Sequence, residues 1–212
     1  MVAPTGAKAP RWERRKDARP QELLAAALDL FVERGFAATR LEDVARRAGV
    51  SKGTLYLYYA NKEELFKAVV RDSIVTAIGD AEDVVAGYEG ESGELLRAIL
   101  FGWWERVGGT KASGIVKLVM AEANNFPDLA AFYRKEVIVR GTRVLSSVLE
   151  RGVARKEFRV ADIETSTQVL IAPMLMLTLW KHSCGPCDQG DVDAERFLSN
   201  FAAMVLGGIQ AD

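Results

Sequence analysis

A chain of 212 residues fits one large domain or two small ones. With 49% hydrophobic and 27% charged residues, it has the ordinary balance of a globular protein and enough apolar side chain for a real core. The formal net charge of −1 excludes a uniformly basic chain, yet the charge is uneven: 12 Lys and Arg stand against 9 Asp and Glu through Phe66, so that stretch carries +3 and the remainder −4. A mildly basic head on an acidic body suits a DNA-binding end and a body that stays off DNA.

Residues 1–18 are rich in Ala, Pro, Lys and Arg and are expected to be disordered. They read either as a floppy terminus or, with Arg19, as a basic arm (Lys8, Arg11, Arg14, Arg15, Lys16, Arg19) reaching along phosphate or into a minor groove. The segment has no apolar stretch of the kind a signal peptide needs. The longest apolar run, Val169 to Trp180, falls well short of the ~20 residues that span a bilayer. A cytoplasmic protein with no membrane partner is expected.

Helix 1 is predicted to start near Pro20, a residue suited to a first helical turn. Leu23, Leu24, Ala27, Leu28, Phe31 and Val32 make its buried face, and Gly35 ends it. Thr39 and Glu42 are spaced as a capping box for helix 2, whose apolar face is Leu41, Val44, Ala45 and Ala48. Gly49 supplies the left-handed residue that ends it. Ser51 is the next N-cap, and helix 3 carries Thr54, Leu55 and Tyr56 to Tyr59. Asn61 and Glu64 repeat the capping box and open helix 4, which runs towards Gly79 or beyond with Leu65, Phe66, Val69, Val70 and Ile74 apolar. Helix, short glycine-containing turn, helix is the layout of a reader whose second helix enters the DNA major groove. Lys52, Gly53 and Thr54 sit at the N-terminal end of that second helix, where base edges are met. Tyr56 and Tyr58 can donate hydroxyl hydrogen bonds to phosphates, and Lys62 adds its charge at the start of a helix.

At these residues the stretch resembles the DNA-binding domain of the tetracycline-repressor (TetR) family of bacterial transcriptional regulators. The matching pieces are Gly35-Phe36, Thr39, Val44-Ala45, Ala48-Gly49-Val50-Ser51, Gly53-Thr54-Leu55-Tyr56, Tyr58-Tyr59 and Asn61-Lys62-Glu63-Glu64-Leu65. The resemblance spans Pro20 to Phe66 and is dense. It implies an all-α homodimer whose N-terminal domain, residues 19–66, binds palindromic duplex DNA. Its C-terminal domain, residues 67–212, would dimerise and bind a small effector that releases the DNA. It places Lys52, Gly53 and Thr54 at base-facing positions and Tyr56, Tyr58 and Lys62 at phosphate-facing ones. Thr39 and Arg40 complete the expected DNA-contacting set.

The body reads as five more helices, about nine in all, with no strand-like alternation. Asp80 to Gly93 is acidic, holds three glycines and reads as a frayed end and a loop. Helix 5 follows with Leu95 to Val107 and is broken by Gly108-Gly109; helix 6 carries Ile115 to Ala123. Pro127 opens a long helix 7 that stops near Gly152. The phrase Phe126-Pro127-Asp128-Leu129, with Phe132-Tyr133 behind it, resembles the AefR-like subgroup of the same family. Helix 8, from about Asp162 to His182, is apolar nearly all round and needs cover on both sides. Helix 9 runs from about Val192 to Gly207. Leu175, Leu179, Phe197, Phe201 and Val205 on these two helices are the expected four-helix dimer contact, an arrangement the resemblance also implies.

Trp103, Trp104, Met120, Phe132, Tyr133 and Met174 are large or soft side chains spread over helices 5 to 8, able to line a pocket or to serve as core. Asn124 and Thr178 are polar groups that would orient a ligand there, expected to be small and largely apolar or aromatic. No cofactor is expected. His182-Ser183-Cys184-Gly185-Pro186-Cys187 gathers both cysteines and the one histidine. The thioredoxin reading of Cys184 and Cys187 needs a βαβ setting that is absent, and His182, Cys184 and Cys187 are three ligands where zinc takes four. A loop between helices 8 and 9 is the simpler reading. A redox- or metal-switched regulator and a dithiol oxidoreductase remain the alternatives to a ligand-responsive repressor.

Overall fold

In a computed structural model, the described residues are 13–183 and 192–211. They form nine helices, and among them the only extended pairing is an isolated antiparallel bridge between Phe158 and Gln210. The chain divides into two compact units, Met1–Val69 and Val70–Asp212.

In the first unit, α1 spans Glu13–Ala38, so the helix starts well before Pro20, which lies inside it. Residues 13–19 are Glu, Arg, Lys, Asp and Ala, mostly good helix formers, and they carry the helix back into the segment expected to be an arm. Residues 1–12 lie outside the described set. Gly35, at φ 80° and ψ 171°, breaks α1 as expected. The break turns Phe36 back onto Phe31 and Phe66, with ring centroids 5.3 to 5.7 Å apart. These three fully buried rings are the centre of the unit.

The next elements are α2 (Leu41–Arg47) and α3 (Lys52–Tyr58). Gly49, at φ 67°, ends α2, and the Val50 N–H closes back on the Ala45 carbonyl at 2.9 Å. Ser51 caps α3, its Oγ accepting from the Thr54 N–H at 3.1 Å. Asn61 caps the following helix, its Oδ1 accepting from the Glu64 N–H at 2.8 Å. That helix, α4, comprises Lys62–Val70, a π turn at Arg71–Val75 and Thr76–Gly87. The expected frayed end at Asp80 is therefore helix. Glu82 holds this turn by a two-pronged pair with Arg140, at 2.9 and 2.6 Å, and the guanidinium keeps the Glu82 carboxyl below its usual range.

The second unit continues with α5 (Ser92–Trp103, closed by a π turn at Trp104–Gly108) and α6 (Ser113–Glu122). Helix α7 comprises Pro127–Tyr133, a π turn at Arg134–Ile138 and Val139–Ala154. Then come α8 (Ile163–Ser183) and α9 (Ala194–Ile209). Leu95, Leu96 and Leu100 of α5, Val148 and Leu149 of α7, Leu170, Met174 and Leu177 of α8, and Leu198 and Ala202 of α9 form the core. Helix α7 ends near Gly152. The ring of Phe158 packs on that glycine, and α7 ends two residues later.

Arg151 ties α7 to the start of α5 through Ser92 Oγ (2.9 Å) and the Gly90 carbonyl (2.8 Å). Ser92, through its hydroxyl and its N–H, and then Arg155 hold the Glu157 carboxyl down to about 2. Among the described helices, α8 alone is long and apolar enough to cross a membrane by length and composition. Its Leu170, Met174 and Leu177 are buried in the core of the unit.

Candidate nucleic-acid interface and effector cavity

The reader helix α3 is fixed by one buried residue, Leu55, at 0% exposure; Lys52, Gly53, Tyr56, Leu57 and Tyr58 are exposed. Lys52 lies beside Glu42 of α2 at 2.5 Å, and its ammonium stands 5.7 Å from the Tyr56 ring centroid. The contact lowers the Glu42 carboxyl and raises the Lys52 ammonium, each through the hydrogen bond to the other. Both side chains are more than half exposed, so the pair is weak and opens readily for a phosphate or a base edge. The Thr54 hydroxyl lies 2.9 Å from Ser51 Oγ and shares in the cap. Arg40 is exposed as the residue before α2, and its carbonyl accepts the Asp43 and Val44 N–H groups.

One expected cap is corrected, and two side chains expected at DNA bond within the protein. Thr39 neither caps α2 nor faces solvent: it is 1% exposed, and its hydroxyl donates to the carbonyls of Gly35 (2.7 Å) and Leu30 (3.2 Å). Arg40 is the N-cap residue instead. The broken end of α1 leaves carbonyls that need a donor, and Thr39 supplies it. Lys62 does the same from the far side. Its ammonium donates to the Phe36 carbonyl at 2.8 Å and the Ala37 carbonyl at 3.1 Å, and lies 4.4 Å from the Phe36 ring centroid. Lys62 is thus a clamp on the α1 terminus. Lys62→Met is expected to cost about 1–2 kcal/mol of stability, read by thermal unfolding. Weaker DNA binding with unchanged unfolding would restore the phosphate role.

Sequence reasoning passed over Leu57. It is 83% exposed in the middle of α3, where an apolar side chain gains nothing from water. Its neighbours Tyr56 and Tyr58 were read for their hydroxyl groups, and Leu57 between them was given no role. The available signal was spacing: Leu57 is two residues from the buried Leu55 and therefore on another face.

The second unit encloses a cavity of about 500 Å³ between α4, α5, α6, α7 and α8. Trp103, Met120, Tyr133 and Met174 line it. Trp104 does not, because its ring packs against Gly108 and Gly109 and carries the Lys181 ammonium at 5.9 Å. Phe132 turns to Arg71, whose guanidinium lies 5.0 Å from the ring centroid. Asn124 is exposed in the turn after α6. Thr178 is 2% exposed and returns its hydroxyl to the Met174 carbonyl at 2.9 Å, as helical threonines do. Ala77, Ile78, Ala81 and Val84 of α4 were missed: Ala77 and Ile78 lie in the expected helix 4 but were not assigned to a pocket, and Ala81 and Val84 lie in the stretch read as a frayed end and loop.

The π turns help aim the walls. Tyr133 and Thr142, nine residues apart, would stand about 180° apart on an uninterrupted α-helix. The π turn between them takes back part of that rotation, and both line the cavity. Asp80 and Arg106 also line it and pair with each other.

The residues expected at a dimer contact are all partly buried within one copy. Leu175 lines the cavity, and Phe197, Phe201 and Val205 are half-buried against the core, as their own unit needs them there. Leu179 is half-buried. The apolar side chains that α8 and α9 leave uncovered are Val169 (60% exposed), Met176 (50%) and Met204 (78%). At the end of α8, His182 Nε2 lies 2.6 Å from Ser113 Oγ. Ser113 gives its own proton to the Thr110 carbonyl at 2.7 Å, so the imidazole is the donor to it. Burial, then Lys181 and Lys117, push the His182 ring below its usual range. Cys184 and Cys187 lie outside the described residues, among which no three metal-ligating side chains gather.

Residues 23–69 match the family model for bacterial regulatory proteins of the tetR family, and residues 90–197 match that for the tetracyclin repressor-like C-terminal domain. The chain is similar to the HTH-type transcriptional repressor KstR2 of Mycolicibacterium smegmatis, with 28% identity over 192 residues and 90% of each chain covered. Its fold is similar to that of the ketosteroid transcriptional regulator KstR2 of Mycobacterium tuberculosis, with TM-score 0.67, 24% identity and coverage of 92% of this chain and 96% of that one. It is similar also to the transcriptional regulator FadR from Bacillus subtilis in complex with stearoyl-CoA, with TM-score 0.74, 19% identity and coverage of 90% and 99%.

Proposed function

The chain belongs to the TetR family of bacterial regulatory proteins, a family of transcription regulators and not of enzymes, and from that premise we propose that it is a repressor released from DNA by a small, largely apolar effector. The observation that carries this reading is the pairing of an exposed reader helix with a half-closed apolar cavity in one chain. The KstR2 relative is named a repressor, and the FadR neighbour holds stearoyl-CoA, an acyl ligand; both support the reading. Acting on chromosomal DNA, such a regulator works in the cytoplasm.

Two copies join through the uncovered faces of α8 and α9, burying Val169, Met176 and Met204 about a two-fold axis. Each copy then offers α3 to one half of a palindrome. Lys52 and Gly53 meet base edges, Tyr56 and Tyr58 reach phosphates, and Leu57 covers a thymine methyl. Helix α4 starts at Lys62, clamped to the end of α1, and further on supplies Ala77, Ile78, Ala81 and Val84 to the cavity wall. A molecule filling the cavity presses on that wall, and the helix carries the displacement toward the reader helices.

The test is a selection of bound fragments from the source genome, followed by titration of the selected duplex. Affinity should fall as salt rises, in proportion to the phosphates neutralised. Replacing thymine by uracil at one position of each half-site should weaken the wild type by about 0.8 kcal/mol, roughly fourfold, and leave Leu57→Ala unaffected. No enriched fragment, or equal losses for both proteins at every thymine, would contradict the assignment.

A further inference from the structure

Nearly all of the cavity wall is apolar, and its polar side chains divide by depth. Asp80, Glu105 and Arg106 are exposed, and Asp80 and Arg106 satisfy each other. Thr142 is half-buried. Tyr133 is different, at 5% exposure, and among the described residues its hydroxyl has no hydrogen-bond partner. No fully enclosed side-chain nitrogen or oxygen among those residues is left without a partner. The Tyr133 oxygen therefore touches open space, and the space that Tyr133 lines is the cavity.

An unpartnered phenol in an apolar wall is costly unless a ligand answers it. Burial alone pushes this phenol far above its usual range, so it stays neutral and keeps its proton to donate. A buried carboxylate on the ligand would find no free cation, since Arg106 is paired and exposed. A buried ammonium would find no free anion at depth. Resting on the effector-site reading above, we infer that the buried end of the effector is a neutral carbonyl, a ketone or an ester, that accepts the Tyr133 hydroxyl proton while the apolar remainder fills the cavity.

The test uses a naphthalene probe bearing a propionyl ketone, 6-propionyl-2-dimethylaminonaphthalene, whose emission moves to the red when its carbonyl accepts a hydrogen bond. The control is 2-dimethylaminonaphthalene, which lacks the carbonyl. Both are titrated into the full-length wild type and into Tyr133→Phe, with thermal unfolding showing that the variant is folded. The wild type should bind the ketone about tenfold more tightly than Tyr133→Phe does, and the emission of the bound ketone should move to the blue in the variant. The control should bind both proteins alike. Equal ketone affinity and equal emission in the two proteins would overturn the carbonyl assignment and leave the cavity reading standing. So would equal losses of ketone and control in Tyr133→Phe. Failure of both probes to bind the wild type would remove the effector-site reading, and this inference with it.

Discussion

Phe36→Ala is expected to abolish operator binding at every salt concentration while the second unit keeps its fold. Phe36 is 0% exposed and stacks on Phe31 at 5.7 Å and edge-on to Phe66 at 5.4 Å. Truncating a buried phenylalanine costs about 3–5 kcal/mol, part lost transfer energy and part cavity. The cation over the ring adds to the loss, because the Lys62 ammonium rests on Phe36 as well as on its carbonyl. A helical unit of this size has little stability to spare, so the change is of the order of the whole. Fluorescence anisotropy with the selected operator should show no binding, and circular dichroism a partial loss of helix. The naphthalene ketone should bind as it does to the wild type. Wild-type operator affinity in Phe36→Ala would show that the three rings do not hold the reader helices.

Gly152→Ala should lower stability by about 1–3 kcal/mol, the opposite sign from an ordinary helical glycine. Inside an exposed helix, Gly→Ala stabilises by roughly 0.5–1 kcal/mol. Here an added Cβ would lie 2.0 Å from Cδ2 of Phe158 and 2.5 Å from its Cγ. The ring cannot swing away cheaply. The Phe158 N–H donates to the Gly152 carbonyl at 3.1 Å, the Arg159 N–H donates to the Ile209 carbonyl at 2.7 Å, and the ring is 3% exposed within the core. Thermal unfolding should fall by several degrees, at about 2–4 °C per kcal/mol for a chain of this size. The double variant Gly152→Ala/Phe158→Leu should recover part of the loss. A rise in unfolding temperature for Gly152→Ala alone would mean the ring is not held against the glycine.

What could be read from the sequence was what neighbours along the chain decide. Ser51, Gly49 and Asn61 act on groups within a few residues, so their capping roles were legible, and with them the order of the helices. The Thr39 cap was misread and the Lys62 clamp not foreseen because their partners, carbonyls of α1, lie up to 26 residues away and are freed only once Gly35 breaks the helix. The stretch after Asp80 hid a helix because its glycines masked Ala81 and Val84, and because the Arg140 that secures Glu82 is 58 residues distant. In the cavity, Trp103 and Trp104 are neighbours with opposite fates: one lines the space, the other packs on Gly108 and Gly109. Composition cannot separate such a pair, since successive residues of a helix point about 100° apart and the packing partners decide which of them meets the cavity.

Repression of the proposed kind requires two copies to meet one palindrome. The most direct measurement is sedimentation of the selected operator duplex with increasing protein, paired with a footprint of the same complex. Two chains per duplex and a two-fold footprint with half-site centres about 34–36 Å apart, both lost when the naphthalene ketone is added to saturation, is the predicted result. One chain per duplex on an asymmetric footprint, or a complex indifferent to an occupied cavity, would contradict it.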